Sequence, residues 1–200
     1  MSTTSRPSGR GRGRRPADPA SPQEKPPETE AEAEERARSI LLNQLTAQAR
    51  SRAQLAEKLA AKDVPDDVAH RLLDRFTEVG LIDDEAFARA WVASRGPGKG
   101  LARRALSAEL RRKGVTDDDV RAALDEVDPD DEREAARTLV RRRLRSLRGV
   151  ETAKATQRLV GMLARKGHPP GVAYAVVREV LAEEAERADE LDALPDEITG

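Results

Sequence analysis

One short signature recurs three times along this chain and limits what it can fold into. Lys62-Asp63, Lys113-Gly114 and Lys166-Gly167 each follow two leucines four residues apart: Leu55 and Leu59, Leu106 and Leu110, Leu159 and Leu163. The pattern returns after 51 and then 53 residues. Self-similarity at a nearly fixed period marks a repeat architecture, in which each unit buries its apolar stripe on itself and its neighbours. The composition suits a thin core spread along the chain, because 38% of the residues are hydrophobic and 36% are charged. Aromatic residues make up 2%, and the dominant Ala, Leu, Arg and Glu are those that lose least on entering a helix. The expected fold is therefore all-α, built from three tandem three-helix repeats, with no strands.

Each unit carries apolar residues at i, i+3 and i+4 in three successive segments. The first repeat is placed at residues 33–81. A helix around Glu35 to Gln48 bears Ile40, Leu41 and Leu45, and Ser51 caps a second helix with Gln54 three residues on. Val68, Leu72, Leu73 and Phe76 then form the stripe of a third helix that begins near Pro65 and ends at Gly80. The second repeat, 82–127, opens at Asp83-Asp84 and sets Phe87, Ala88, Trp91 and Val92 on one face. It is expected to break at Gly96-Pro97-Gly98, resume over Leu101 to Lys113, and close with a helix started by Thr116 and Asp119. The third repeat, 128–185, opens at Asp128-Pro129, breaks at Gly149, and closes with the leucine pair and Val172, Val176, Val177 and Val180. Residues 1–32, rich in Pro, Gly and Arg, read as a disordered basic tail, and 186–200 as an acidic tail.

Several function classes fall away on residue types alone. Cysteine is absent, which excludes disulfides and thiolate metal sites, and the cytoplasm is the expected setting. No apolar run approaches the roughly 18 residues a membrane helix needs, and the N-terminus has no apolar signal region, so no membrane association is expected. There is no HExxH, no Gly-rich phosphate loop with its Lys, and no nucleophile elbow. An enzyme is not expected, and neither a cofactor nor a metal. The two histidines, His70 and His168, read as surface or half-buried side chains. The acidic runs at 83–85, 117–119 and 130–132 stand at helix starts, where carboxylates favour the positive end of the helix dipole.

Basic residues are less easily explained. Lys99, Arg103, Arg104, Arg111, Arg112 and Lys113 share one helix and its lead-in, with only Glu109 against them, and Arg141, Arg142, Arg143, Arg145 and Arg148 crowd another. Like charges at i and i+4 repel by a few tenths of a kcal/mol per pair, roughly. Two readings of this excess stand open. A polyanion could relieve the repulsion with release of counterions, giving weak, salt-dependent contact with single- or double-stranded DNA. Alternatively, acids on neighbouring helices supply the missing partners. Trp91, four residues beyond Phe87, is expected in the core, which leaves few aromatics for stacking unpaired bases.

The segments Ser51 to Leu59, Gly80 to Arg95 and Leu106 to Gly114 resemble the RecX family, regulators of the recombinase RecA. The middle segment is the most specific, with Asp83, Asp84, Phe87, Arg89, Trp91 and Arg95 in one run. The similarity extends over about Glu35 to Leu181 and weakens in the third unit. It departs from the pattern at Asp63, which stands where the other units have Gly. The resemblance implies an elongated, curved arrangement of the repeats and a non-catalytic modulator, usually an inhibitor. Such a protein lies in the groove of the RecA filament on DNA and suppresses ATP hydrolysis and strand exchange, so regulating DNA repair and recombination. The candidate contacts to RecA or DNA are Arg89, Arg95, Lys99, Arg103, Arg104, Arg111, Arg112, Lys113, Arg141, Arg142, Arg143 and Arg145, acting from a monomer. Two other readings remain: a helix-turn-helix reader of DNA and a general helical scaffold.

Overall fold

The computed structural model describes residues 28–192, and the expected disordered leader and acidic tail fall mostly on residues outside that range. The described chain is helical, with no strand. Helices α1 (Glu30–Ala47), α2 (Arg52–Ala60) and α3 (Asp66–Glu78) form the first unit; α4 (Asp84–Lys99), α5 (Arg103–Arg112) and α6 (Asp117–Asp125) the second. The third contains α7 (Pro129–Leu144), a 3-10 turn at Arg145–Leu147, α8 (Thr152–Arg165) and α9 (Pro170–Asp192). Among the described residues there are three separate apolar cores. Leu41, Leu55, Leu59, Leu73 and Phe76 centre the first, Phe87, Val92, Leu106, Leu110 and Leu124 the second, and Val140, Leu159, Leu163, Val176 and Val180 the third. Ile82, which the sequence places at the head of the second unit, packs into the first core.

Helix starts follow local chemistry. The Ser51 hydroxyl accepts from the Gln54 N–H while the Gln54 side chain answers the Ser51 N–H, a complete capping box. Thr116, Asp83 and Asp128 cap α6, α4 and α7 in the same sense. Three boundaries differ from expectation. First, α1 opens at Glu30 because Thr29 and Glu32 form a second capping box. Second, α9 continues through 186–192, its acids drawn out as helix rather than tail. Third, α4 does not break at Gly96-Pro97-Gly98 but runs to Lys99 and stops at Gly100, where φ is +61°. Proline normally drives the preceding residue out of the helical region through a clash with its Cβ, and Gly96 has none.

The units are joined twice by equivalent contacts, both centred on the ends of the middle helices, with a side-chain hydroxyl as donor at one and a backbone N–H at the other. At the first joint the Ser51 hydroxyl donates to the Lys113 carbonyl at 2.5 Å, and the Arg52 N–H donates to Asp84 Oδ1 at 2.8 Å. At the second, the Ala102 N–H donates to the Lys166 carbonyl at 2.9 Å and the Arg103 N–H to Glu132 Oε2 at 3.3 Å. Thus the open N-terminus of one middle helix receives a carbonyl from the end of the next and a carboxylate from the next unit's first helix. Burial at the joint pushes the Asp84 carboxyl above its ordinary range, against the opposing pull of the Arg52 N–H.

Gly114 (φ +76°) and Gly167 (φ +92°) end these helices in the left-handed region, and each lies hard on the preceding unit's middle helix. A Cβ at Gly114 would overlap that of Ala53, and one at Gly167 would stand 2.7 Å from Ala105 Cβ and 2.8 Å from its N. Unit one has no preceding neighbour among the described residues. There Asp63 takes the turn at φ +53°, and Arg36 of α1 donates to the Lys62 carbonyl at 2.5 Å. The departure from glycine is thereby explained: among the described residues no helix of another unit packs on that turn, and only the Arg36 guanidinium reaches its carbonyls.

Replacing Gly167 with Ala should therefore cost more than the same change at Gly149, which has a φ of +79° but no atom within 4 Å of the added Cβ. Left-handed strain alone costs roughly 1–2 kcal/mol. Overpacking adds about 1–3 kcal/mol at Gly167. Urea denaturation midpoints of the two variants check the order, and equal losses contradict the joint.

Candidate polyanion interface

The sequence-predicted basic residues divide once their neighbours are known. Arg89 bonds Glu85 and Glu126, and its guanidinium is raised above its ordinary range chiefly by Glu126. Arg103 meets Asp125 at 2.9 Å, Arg111 meets Asp117 at 2.7 Å, and Arg141 joins Glu134 and Glu183 at 3.1 and 3.0 Å. Arg141, and after it Arg137, holds the Glu183 carboxyl below the usual carboxylate range. These four cations are matched within the chain by acids of other helices or turns. Among the described residues, Lys99, Arg104, Arg112, Lys113, Arg142, Arg143 and Arg145 have no acid within ion-pair distance. Arg95 has a loose one, Glu109 at 3.7 Å.

Two grooves gather much of the unmatched charge. The first crosses the joint between units one and two and is lined by Gln54, Trp91, Glu109, Arg112 and Lys113. Trp91 is half core and half groove. Its ring stacks on Phe87 at 5.8 Å, and its indole N–H donates to Glu109 Oε2 at 2.9 Å. The Arg95 guanidinium lies 3.8 Å and the Lys113 ammonium 4.0 Å from the ring centre, within cation–π range. Close by, Arg50 Nε is buried with no hydrogen-bond partner. Burial, then the charges of Arg95 and Arg50, pull the Lys113 amine below the usual lysine range.

The second groove crosses the joint between units two and three. Gly98 and Lys99 of one unit face Leu139, Arg142, Arg143, Ser146, Met162 and Lys166 of the next, with no acid in the lining. Lys166 Nζ donates to the Lys99 carbonyl at 2.7 Å. Along α8 the surface continues over Arg158, Gly161 and Arg165. Sequence reasoning passed over Arg158, Arg165 and Lys166. Their signal was the spacing of Arg158, Met162 and Arg165, which sets all three on one helical face.

His168 is not at the surface. It is 3% exposed in the same joint, where its Nε2–H donates to the Gly100 carbonyl at 3.1 Å and its Nδ1 has no hydrogen-bond partner. It cross-braces the joint. His70 is exposed on α3. Among the described residues no group of His, Asp and Glu is arranged to hold a metal, and no helix is long and apolar enough to cross a membrane.

Three linked helical units, joined by repeated contacts and carrying cations across their joints that no acid of the described residues matches, define a tandem three-helix repeat protein with cationic grooves. The comparisons with known proteins narrow that class. Family models for the first, second and third three-helix domains of RecX match residues 37–76, 83–124 and 130–177. The chain belongs to the RecX family. It is 53% identical over 152 residues to the regulatory protein RecX of Thermobifida fusca, covering 76% of this chain and 82% of that one. It is 51% identical over 154 residues to that of Streptomyces coelicolor, with 77% and 82% covered. The crystal structure of RecX from Lactobacillus salivarius shares the fold with a TM-score of 0.67 at 19% identity, covering 75% of this chain and 97% of that one. A second crystal structure of a regulatory protein RecX gives 0.66 at 25% identity, with 75% and 73% covered.

The depressed Lys113 amine makes a pH-dependent prediction. At a pH between the lowered folded value and the ordinary one of 10.5, the unfolded chain binds more protons, so stability from this group rises with pH. Compared with a Lys113→Met variant, the parent should gain thermal stability as pH goes from 7 toward 10. A gap moving the other way contradicts the placement.

Proposed function

We propose that this chain regulates RecA without catalysis, by lying along the RecA filament on DNA and suppressing ATP hydrolysis and strand exchange. Membership of the RecX family gives the regulatory role its support. The observation that carries the filament reading is the repeated joint. Because the two joints use equivalent contacts, the three units are held in a defined succession, which suits a target that itself repeats. Modest contacts from each unit to successive protomers then combine, since the second and third contacts form at high effective concentration. The unmatched cations add attraction to an acidic protein surface or to the enclosed DNA, sensitive to salt.

In this reading the chain works as a cytoplasmic monomer and needs no cofactor. Arg104, Arg112, Arg142, Arg143 and Arg145 are the foremost contacts, because no acid of the described chain holds them. Arg89, Arg103, Arg111 and Arg141 serve first to tie helices together, and reach a partner only by leaving their acids.

RecA's DNA-dependent ATP hydrolysis on single-stranded DNA, titrated with the purified protein at two salt concentrations, tests the proposal beside direct binding to the same DNA without RecA. Hydrolysis should fall at protein concentrations well below those that coat naked DNA. A fall only where the DNA is already covered, or none at all, returns the protein to plain DNA binding or scaffolding.

A further inference from the structure

The two grooves correspond position by position. Leu106 and Leu110 align with Leu159 and Leu163, and the fully buried Ala88 and Val140 fall on the same register as Ala136 and the buried Val92, respectively Ala88 with Ala136 and Val92 with Val140. In that register Trp91 matches Leu139, Arg95 matches Arg143, Lys113 matches Lys166, and Glu109 matches Met162. Both grooves therefore have an apolar floor and a lysine from the end of the unit's middle helix, closed on one side by the preceding unit; Arg143 of the first helix lines the second groove, while in the first Arg95 lies over the Trp91 ring and Arg112 of the middle helix completes the lining. Unit one has Ile40, Gln44 and Lys62 at these places and lacks the arginine.

We infer that these grooves are one anion site used twice, each taking a phosphate of the same DNA strand, with the second groove the stronger. The inference rests on the reading above that the regulator meets DNA, and names the part of it that does so. An arginine offers a planar fork to phosphate oxygens and a lysine a compact charge, and the two side by side suit a phosphodiester. A regular polyanion also fits sites repeated at a structural period better than an acidic peptide with irregular charge spacing. The first groove keeps one internal acid, Glu109, engaged by Trp91 and Arg95. The second has Met162 in its place and no acid at all in its lining. Met162 therefore sets the ranking of the two sites.

The test uses the full chain without RecA, a fluorescent poly-dT oligonucleotide and a salt series. Arg112 and Arg143 are exposed and have no acid partner, so Arg112→Gln and Arg143→Gln should leave the thermal midpoint unchanged. Each should lower the slope of log affinity against log salt by about 0.7, the value per contact for a single strand, and the double variant by about twice that. Arg143→Gln should weaken binding more than Arg112→Gln. Glu109→Gln, which preserves an acceptor for the Trp91 N–H, should tighten binding. The inference is overturned if folded double variant keeps the parent's slope, or if Glu109→Gln binds no better. It is equally overturned if the substitutions abolish binding to poly-glutamate while leaving poly-dT untouched. Because RecA is absent, failure here leaves regulation of RecA standing, and failure of the ATPase titration leaves these sites standing.

Discussion

A middle helix that stops at a left-handed residue leaves its last carbonyls turned outward, and the way this chain satisfies them organises everything else. The Lys113 and Lys166 carbonyls are taken by Ser51 and Ala102 at the N-termini of the preceding middle helices. An unfilled carbonyl there, buried between units, would cost about 1–3 kcal/mol. The same stroke supplies donors at helix starts with acceptors they otherwise lack, since the first N–H groups of a helix have no partner within it. Close approach is possible only because Gly114 and Gly167 present no Cβ. Hydrogen bonds at the helix ends and close glycine contacts, with α4 packed on α7 at the second joint, fix how the units succeed one another.

Charge is arranged around this frame in two layers. Within a unit, long-range pairs repeat with the structure: Arg52 with Asp74 in the first unit and Arg103 with Asp125 in the second hold the start of the middle helix to the third. These pairs are largely exposed and each contributes little alone, roughly 0–1 kcal/mol. Their effect is to leave the remaining cations unopposed and outward, concentrated where two units meet. Joints and cationic grooves thus share residues. Lys113 and Lys166 cap the joints with their carbonyls and line the grooves with their side chains.

Signals of short range were legible in the sequence. The Ser51, Thr116, Asp83 and Asp128 caps act within three residues, and the leucine pairs lie one helical turn apart, so both show in the letters. The 51- and 53-residue spacing carried the repeat. What stayed hidden depends on partners distant in sequence: Glu126, 37 residues from Arg89, and Glu183, 42 from Arg141, engage cations whose own helices offer only Glu85 and Glu134. His168 reads as a turn residue until the second joint closes over it. Gly96-Pro97-Gly98 misled because one of the clashes that stop a helix before proline is with the preceding residue's Cβ, which Gly96 lacks; the lost N–H and the ring remain, and the helix runs on only to Lys99. Asp63 read as a departure, and becomes intelligible only when the turn is seen to carry no preceding unit's helix among the described residues.

The joints are fixed elements of the native state rather than loose links between independent units. Native-state hydrogen exchange at Ala102 and Arg103, which donate across the second joint, measures this directly. Amides at a helix start ordinarily exchange fast, while those held by a joint exchange only when it opens. The account predicts that both are protected nearly as well as the Leu110 amide inside α5, and that Gly167→Ala releases these two while Leu110 stays protected. Exchange of both at the rate of an open helix end in the parent protein would contradict it.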